Sequence, residues 1–312
     1  MFASLPAMGG VMRRYVCLGH ATLDRVYQVE RLPAGPTKMR ARAFTEVGGG
    51  MAANAACAIS RLLDAGTDSV ALWGRAGADP AGVFIRSELL RYGVDASSFH
   101  LFPGCISSQT AVMVDAAGER MIVNFRGDVP LDDVSWIDFV AVAGAAAVLT
   151  DVRWREGATA LLRAARRFGV PSVLDADVGE MTIKNAVIPL ADHVVFSEPG
   201  LLEWCSHGDH ARALRRAVEQ GARVAAVTCG EKGSWFLVDG ALHHVEAPAV
   251  AVVDTLGAGD VFHGAYALAI GEGKTVLDAA RFATAAAAIK CTRHGGRTGA
   301  PSRAEVMEFL GG

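Results

Sequence analysis

Residues 252–264 have the sequence Val-Val-Asp-Thr-Leu-Gly-Ala-Gly-Asp-Val-Phe-His-Gly, and the rest of the chain is organised around this stretch. The small residues Gly257, Ala258 and Gly259 predict a turn in which the backbone can approach a ligand closely. A helix that begins after this turn aims free amide groups and the positive end of its dipole at an anion. Asp260 lies in the first turn of that helix, where its carboxylate faces the same ligand. Such a site suits phosphoryl transfer, because amides stabilise the phosphate charge and a carboxylate accepts an alcohol proton.

The short Gly-Ala-Gly-Asp pattern also fits a tight turn followed by a helix N-cap, so spacing alone leaves both interpretations open. The longer pattern Asp-Thr-x-Gly-Ala-Gly-Asp-x-Phe-x-Gly-Ala, from Asp254 to Ala265, is far more specific. It resembles the signature of the PfkB (ribokinase-like) family of carbohydrate and nucleoside kinases. The resemblance extends from about Tyr15 to Pro301. It implies that Asp260 is the catalytic base and that the amides of Gly257, Ala258 and Gly259 form the anion hole.

The order of elements predicts an α/β fold. From Val140 onward short apolar runs alternate with helical patterns, which indicates a parallel sheet with helices on both faces. The resemblance implies a ribokinase-like three-layer α/β/α domain with a mostly parallel central sheet and a small β-sheet lid. We expect one such domain over residues 15–312, with the lid formed by about 25–47 and 106–126, in which Val26–Val29 and Met39–Val47 are predicted strands. Residues 1–14 are expected to be an N-terminal extension.

A second motif stands near the N-terminus. Gly48-Gly49-Gly50 precedes a small-residue helix, predicted over Ala52 to Leu63, that carries Asn54 near its start. Three glycines could be only a flexible turn, although glycine before a helix also lets a substrate approach the backbone. The order Gly-Gly-x-x-x-Asn resembles the N-terminal signature of the family, in which these glycines hinge the lid. It implies that Asp24, Gly49, Gly50 and Asn54 bind sugar hydroxyls, with Asp24 in a loop after the first strand.

The nucleotide side is predicted from the C-terminal half. Thr228-Cys229-Gly230-Glu231-Lys232-Gly233 resembles the family's Thr-x-Gly-x-x-Gly loop, which implies that Thr228, Gly230 and Gly233 line the phosphates of ATP. Thr255 and Gly257 are expected to bind the nucleotide as well. The Gly- and Arg-rich tail Thr292–Pro301 is expected to cover the adenine edge.

The sequence specifies the residues that bind metal ions less clearly. Relatives have Asn-x-x-Glu after the fourth core strand, whereas this chain has Ser197-Glu198-Pro199-Gly200. Mg²⁺ is still expected, because metal ions neutralise the developing phosphoryl charge, and Glu198 is the candidate to hold it. The resemblance further implies K⁺ near Asp254.

Composition narrows the class of protein. The chain is 51% hydrophobic and 20% charged, which is typical of a soluble globular protein. A net charge of −3 with no basic block makes nucleic acid an unexpected partner, and no apolar run is long enough to span a membrane. The six cysteines are scattered, without paired metal spacing, which favours the cytoplasm.

The acceptor is predicted from three scattered polar residues, Lys38, Asn124 and Arg153. Each alone is compatible with an ordinary surface residue, but together they could converge on an anion. Their sequence contexts resemble those of the 6-deoxy-6-sulfofructose kinases, which hold the sulfonate with a Lys, an Asn and an Arg. The predicted reaction is ATP-dependent phosphorylation of the 1-hydroxyl of a ketohexose with an anionic C6 group. The resemblance also implies a homodimer formed through the lid.

Three alternatives stay open from sequence. Within enzymes, the acceptor could be a fructose phosphate, ribose or a nucleoside such as adenosine. From another class, the chain could be a non-catalytic sugar sensor, although the intact Asp260 argues against it. A nucleotide-binding oxidoreductase is disfavoured, because no Gly-x-Gly-x-x-Gly follows the first strand.

Overall fold

A computed structural model describes residues 12–63, 66, 68–205 and 208–311. Within these ranges, thirteen strands form two sheets. In chain order the strands are β1 (Arg14–Gly19), β2 (Thr22–Gln28), β3 (Ala43–Gly49), β4 (Ser69–Gly77), β5 (Phe99–Phe102), β6 (Gln109–Val114), β7 (Arg120–Phe125), β8 (Ala147–Asp151), β9 (Ser172–Ala176), β10 (His193–Ser197), β11 (Val224–Thr228), β12 (Ser234–Val238) and β13 (Ala241–Val245). The N-terminal extension expected over residues 1–14 lies mostly outside the described residues.

The same part of the chain contains nine α-helices. They are α1 (Met51–Leu62), α2 (Pro80–Arg91), α3 (Arg155–Phe168), α4 (Met181–Val187), α5 (Glu198–Cys205), α6 (His210–Glu219), α7 (Ala258–Gly271), α8 (Val276–Cys291) and α9 (Arg303–Gly311).

The larger sheet has the order β13-β12-β11-β10-β9-β8-β1-β4-β5 among the described strands. Strands β11 to β5 in this order are parallel, while β12 and β13 are antiparallel. Strand β8 is buried along its whole length, as expected for a parallel strand covered on both faces. The predicted α/β fold with a mostly parallel central sheet is confirmed.

Helices cover both faces of this sheet. Buried residues of α1, α2, α7 and α8 form one core cluster, and those of α3 to α6 form the clusters on the other face. Strand order reverses at β1, which lies between β8 and β4. Ligands of open α/β sheets bind at the carboxyl ends of strands beside such a reversal. The loops after β1 and β8 are therefore the expected place for a site.

The smaller sheet has the order β3-β2-β6-β7. Two sequence predictions are wrong here. The segment expected to be a strand from Met39 begins pairing only at Ala43, because the preceding residues are irregular around Pro33 and Pro36. Asp24 lies inside β2 and not in a loop, since β2 begins at Thr22 and pairs with strands on both sides. None of the described helices is long and apolar enough to cross a membrane.

Candidate active site

Asp260 stands in the first turn of α7, at the carboxyl-end edge of the large sheet. Gly257 caps this helix with a φ of 73°, a left-handed conformation that glycine adopts without strain. Burial raises the pKa of Asp260 to about 7, and the nearby Asp175 carboxylate acts in the same direction. A carboxylate with a pKa near neutral pH is suited to accept a proton from an alcohol.

A hydrogen-bonded chain orients Asp260. Asn54 Nδ2 donates to Asp260 Oδ2 at 2.6 Å, and Arg297 Nε donates to Asn54 Oδ1 at 2.7 Å. Arg297 is buried and also donates from Nη2 to the Gly49 carbonyl at 2.8 Å. Because Arg297 occupies the Asn54 oxygen, the Asn54 amide can only present its NH₂ group to the carboxylate. Arg297 thus connects the end of β3 to the candidate base.

The amides around Gly257 are only partly available to an anion. The Ala258 amide donates to the Thr255 carbonyl at 3.2 Å, so it is already occupied by the turn. The Gly259 amide lies in the first helical turn, two residues before the Val261 amide, which donates to the Gly257 carbonyl. Open space surrounds the Cα of Gly259, because a Cβ built there would meet no atom within 4 Å. The structure therefore favours Gly259 over Ala258 as the amide that faces a ligand.

A cavity of about 570 Å³ lies in front of Asp260, between the two sheets. Six residues predicted from sequence line it: Asp24, Gly50, Asn54, Asn124, Arg153 and Asp260. Gly50 has a φ of 97°, and a Cβ there would lie 2.4 Å from the His20 carbonyl oxygen, so glycine is required at this position. Gly49 lies behind Gly50, against the Asp24 carboxylate.

Lys38 does not line this cavity. It is exposed in the irregular segment between β2 and β3. Its predicted contact with a substrate would require this segment to move toward the cavity.

One row of polar side chains crosses the small sheet. Asp24 on β2 is paired with Thr110 on β6, which is paired with Asn124 on β7. Asn124 Nδ2 donates to Thr110 Oγ1 at 3.0 Å. Burial raises the pKa of Asp24 to about 6, against the opposing effects of Thr110 and Arg297. The row presents carboxylate, hydroxyl and amide groups, which can hydrogen-bond sugar hydroxyls.

Three arginines converge on the other side of the cavity. The cavity is lined there by Arg75, Arg126 and Arg153. Burial lowers the pKa of the nearby His20 to about 4, and the three arginine charges act in the same direction, whereas Asp151 opposes the shift. The Arg75 guanidinium stacks on Trp154, 3.9 Å from the ring centroid. Arg126 pairs with Glu180 at 2.7 Å. Among the described residues, neither Arg75 nor Arg153 has a carboxylate partner within ion-pair distance.

A sequence model of the pfkB family carbohydrate kinases matches residues 12–303. The chain belongs to this family. Among solved structures, a candidate ribokinase from Agrobacterium tumefaciens is 35% identical to this kinase, with a TM-score of 0.89 and coverage of 95% of this chain and 96% of that chain. Ribokinase from Arabidopsis thaliana, solved with ribose and ATP, is 27% identical with a TM-score of 0.84, covering 96% and 99%. A fructokinase from Vibrio alginolyticus is 26% identical over 84% of this chain and 91% of the relative.

The predicted nucleotide-side residues of the kinase lie at the same sheet edge as Asp260. Thr228 ends β11 beside Ser197, and its Oγ1 donates to the Phe196 carbonyl at 3.3 Å. Gly230 and Gly233 bracket a short 3₁₀ turn after β11, and both have positive φ. Thr255 is exposed in the loop before α7. Arg120 of the small sheet donates to Thr255 Oγ1 at 3.4 Å, so the loop before α7 also contacts that sheet.

The kinase has two acidic groups near Asp260 that the sequence motifs did not single out. Asp175 lies near the end of β9 and Asp177 directly follows the strand, and both raise the pKa of Asp260. Buried Asp175 faces His263 Nδ1 at 3.4 Å through one oxygen, while its other oxygen has no partner among the described residues. Glu198, the predicted Mg²⁺ residue, instead pairs with His210 Nε2 at 3.2 Å, close to Cys229.

Several functional candidates of the kinase were therefore missed from sequence. Arg75 lies between Gly74 and Ala76 in β4, and nothing in the local sequence shows that its side chain faces a cavity. Arg297 lies in the tail expected to cover adenine, but its side chain turns inward to Asn54. Arg120 on β7 bonds Asp254 Oδ1 at 2.7 Å and so joins the small sheet to the loop before α7. Each was visible as a charged residue, but only the fold shows what it contacts.

Proposed function

We propose that this kinase transfers the γ-phosphate of ATP to the 1-hydroxyl of a ketohexose with an anionic C6 group, with 6-deoxy-6-sulfofructose as the preferred acceptor. The observation that carries the proposal is the pair of guanidiniums, Arg75 and Arg153, that share the cavity with Asp260 but lack a carboxylate partner among the described residues. Arginine donors bind oxyanions through charge-assisted hydrogen bonds. A neutral sugar would give neither guanidinium an ion-pair partner, and Arg75 would have only the more distant Asp151 and Glu156 carboxylates.

The chemistry follows from the geometry at α7. Asp260 accepts the proton of the sugar hydroxyl as its oxygen bonds to the γ-phosphorus and the bond to the ADP oxygen breaks. Asn54 holds the carboxylate in place through its 2.6 Å hydrogen bond. The amides of Gly257 and Gly259, with the helix dipole, stabilise the charge on the transferring group. Ala258 is small enough to let the phosphate approach the backbone. Its amide can bind the phosphate only if its hydrogen bond to the Thr255 carbonyl breaks.

The sugar is held by the row of polar groups on the small sheet, which serves as the lid. Asp24 accepts hydrogen bonds from sugar hydroxyls, and Gly50 allows the chain of α1 to come close to the sugar. Asn124 and Arg153 contact the anionic end, together with Arg75 and Arg126, two arginines that also line the cavity. Lys38 joins them when its segment closes over the cavity.

ATP is the proposed phosphate donor. Its phosphates would lie against Thr228, Gly230, Gly233, Thr255 and Gly257, which share one edge of the sheet. The solved complex of Arabidopsis ribokinase with ribose and ATP supports this choice.

Mg²⁺ fits the acidic edge beside Asp260. The unpartnered oxygen of Asp175 and the nearby Asp177 carboxylate would supply hard oxygen ligands, which this ion prefers, directly or through water. Glu198 fits less well, since His210 already occupies its carboxylate. When bound, the ion would neutralise charge on the phosphates.

The lid is also the proposed dimer interface. Its face away from the cavity carries the exposed apolar side chains Phe44, Met121 and Val123. Such a face on a small sheet favours pairing with a second copy. We place this dimer in the cytoplasm, in keeping with the free cysteines found among the described residues.

We expect the protein to sediment as a dimer at micromolar concentration and Val123→Glu to sediment as a monomer, because a buried unpaired carboxylate opposes the contact. Val83→Glu is the matched control, since Val83 is an exposed valine on α2. A parent protein that sediments as a monomer would contradict the lid interface.

The proposed reaction is tested by a phosphorylation screen with ATP and Mg²⁺ over sulfofructose, fructose 6-phosphate, fructose 1-phosphate, fructose, ribose and adenosine. The highest kcat/KM is expected for sulfofructose. A preference for ribose or fructose would instead match the names of the solved and curated relatives and leave a kinase for neutral sugars. Transfer to none of these acceptors would favour a non-catalytic sensor.

A further inference from the structure

Lys290 is a buried cation beside the loop that leads to Asp260. It lies at the end of α8, and its side chain has no exposed surface. Its Nζ donates to the Asp254 carbonyl at 2.6 Å and to the Arg293 carbonyl at 3.4 Å. Asp254 Oδ2 lies 3.8 Å from the same nitrogen. Two main-chain carbonyls and a carboxylate therefore surround one ammonium group.

These oxygens are the type of ligand set that a hard monovalent cation would take. The K⁺ expected near Asp254 does not fit this structure, because an ammonium already occupies the set. Asp254 also has little capacity left: Oδ1 accepts from Arg120 and from the Leu256 amide, and Oδ2 accepts from the Gly295 amide. A further positive charge beside Lys290 and Arg120 would be repelled.

We propose that Lys290 is a built-in replacement for potassium and makes this kinase independent of monovalent cations. The inference concerns the loop around Asp254 and does not depend on which sugar is phosphorylated.

The position explains how such a cation would act. The Val253 and Asp254 amides both donate to the Cys291 carbonyl, at 2.8 and 3.1 Å. Lys290 adds the bond to the Asp254 carbonyl, so the end of α8 fixes the backbone three residues before Gly257. Gly257 and Gly259 then keep the orientation in which their amides face a phosphate. Lys290 is in this sense a positioning residue, because it acts through the loop.

The test compares KCl with tetramethylammonium chloride at equal ionic strength, using thermal unfolding as the first readout and kcat as the second. We expect the parent to have the same unfolding midpoint and kcat in both salts, within twofold for kcat. Lys290→Ala removes the ammonium and leaves its oxygens free. This variant should have a low kcat in tetramethylammonium, with at least a tenfold gain in KCl. Its unfolding midpoint should also rise in KCl, because an ion that binds only the folded state stabilises it.

Two further variants separate charge from packing. Lys290→Met places a methyl group where the ammonium was, so its kcat should be low in both salts. Lys274→Met is the matched control, a lysine with a side chain 36% exposed, and it should behave as the parent. The proposal is overturned if KCl raises the parent's kcat or unfolding midpoint substantially. It is equally overturned if KCl restores neither property of Lys290→Ala. The parent measurement stands even if a variant does not fold.

Discussion

Asp260→Asn is expected to lower kcat by roughly 10²–10⁴-fold, the usual range for a lost general base. The substituted amide has nearly the same shape and can still face Asn54, but it cannot accept the hydroxyl proton. Nucleotide affinity, measured by calorimetry, and the unfolding midpoint should stay close to those of the parent. Asp278→Asn is the matched control, because Asp278 also lies in a first helical turn but is exposed.

The pH profile gives the same experiment a second readout. Asp260 must be ionised to act as a base, and its pKa is raised to about 7. The kcat/KM of the parent for its sugar should therefore fall as the pH is lowered through this value and level off above it. The residual activity of Asp260→Asn should not show this fall at low pH. A variant within twofold of the parent would remove Asp260 from this role.

The large sheet and the turn before Asp260 were predictable because each depends on local sequence. Buried parallel strands such as β8 are short apolar runs, and small residues before an apolar helix specify a left-handed cap such as Gly257. The hairpin of β12 and β13 had a signal too: Asp239-Gly240, both with positive φ, is a typical two-residue turn.

The contacts within the site were less predictable because they join residues far apart in the chain. Arg297 reaches Asn54, and Arg75 stacks on Trp154, only after the helices and sheets have packed. A charge pattern does not show which side of a strand faces a cavity. Lys38 is exposed in an irregular segment, and its sequence context does not show where such a segment runs relative to the cavity, so its role stays a prediction.

The side chains that lie against Glu198 and Asp254 were equally hard to predict from the sequence. Glu198 was expected to face Mg²⁺, yet the His210 imidazole, on the following helix, lies 3.2 Å from its carboxylate. Asp254 was expected to face K⁺, yet Lys290 comes from the end of α8. In both cases the sequence specified a carboxylate, while the fold decided which side chain would lie against it.

Arg153→Ala is expected to reduce kcat/KM for sulfofructose by roughly 30-fold or more, since a lost charged hydrogen bond to a desolvated anion costs about 2–5 kcal/mol. Any activity on fructose, which has no anion to bind, should change little. Arg75→Ala should show the same selectivity, because its guanidinium also faces the cavity without a carboxylate partner among the described side chains. Steady-state kinetics of parent and variants on sulfofructose, fructose 6-phosphate and fructose measure these differences. Arg223→Ala is the control, an arginine whose side chain is 82% exposed.

The two anionic sugars separate charge from shape. A sulfonate is a monoanion, whereas a phosphate ester near neutral pH approaches a dianion. Of the three arginines around His20, Arg126 is already neutralised by Glu180, so two guanidiniums remain for the ligand. If these two charges act by attraction alone, fructose 6-phosphate should bind at least as well as sulfofructose. A preference for sulfofructose must then come from the fit of the sulfonate oxygens to the planar donors of Arg153 and to Asn124. Arg153→Lys keeps the charge but removes that planar fork, so it should lower the preference for sulfofructose over fructose 6-phosphate.

Equal losses on all three sugars in Arg153→Ala would show that the residue supports the fold and does not bind an anion.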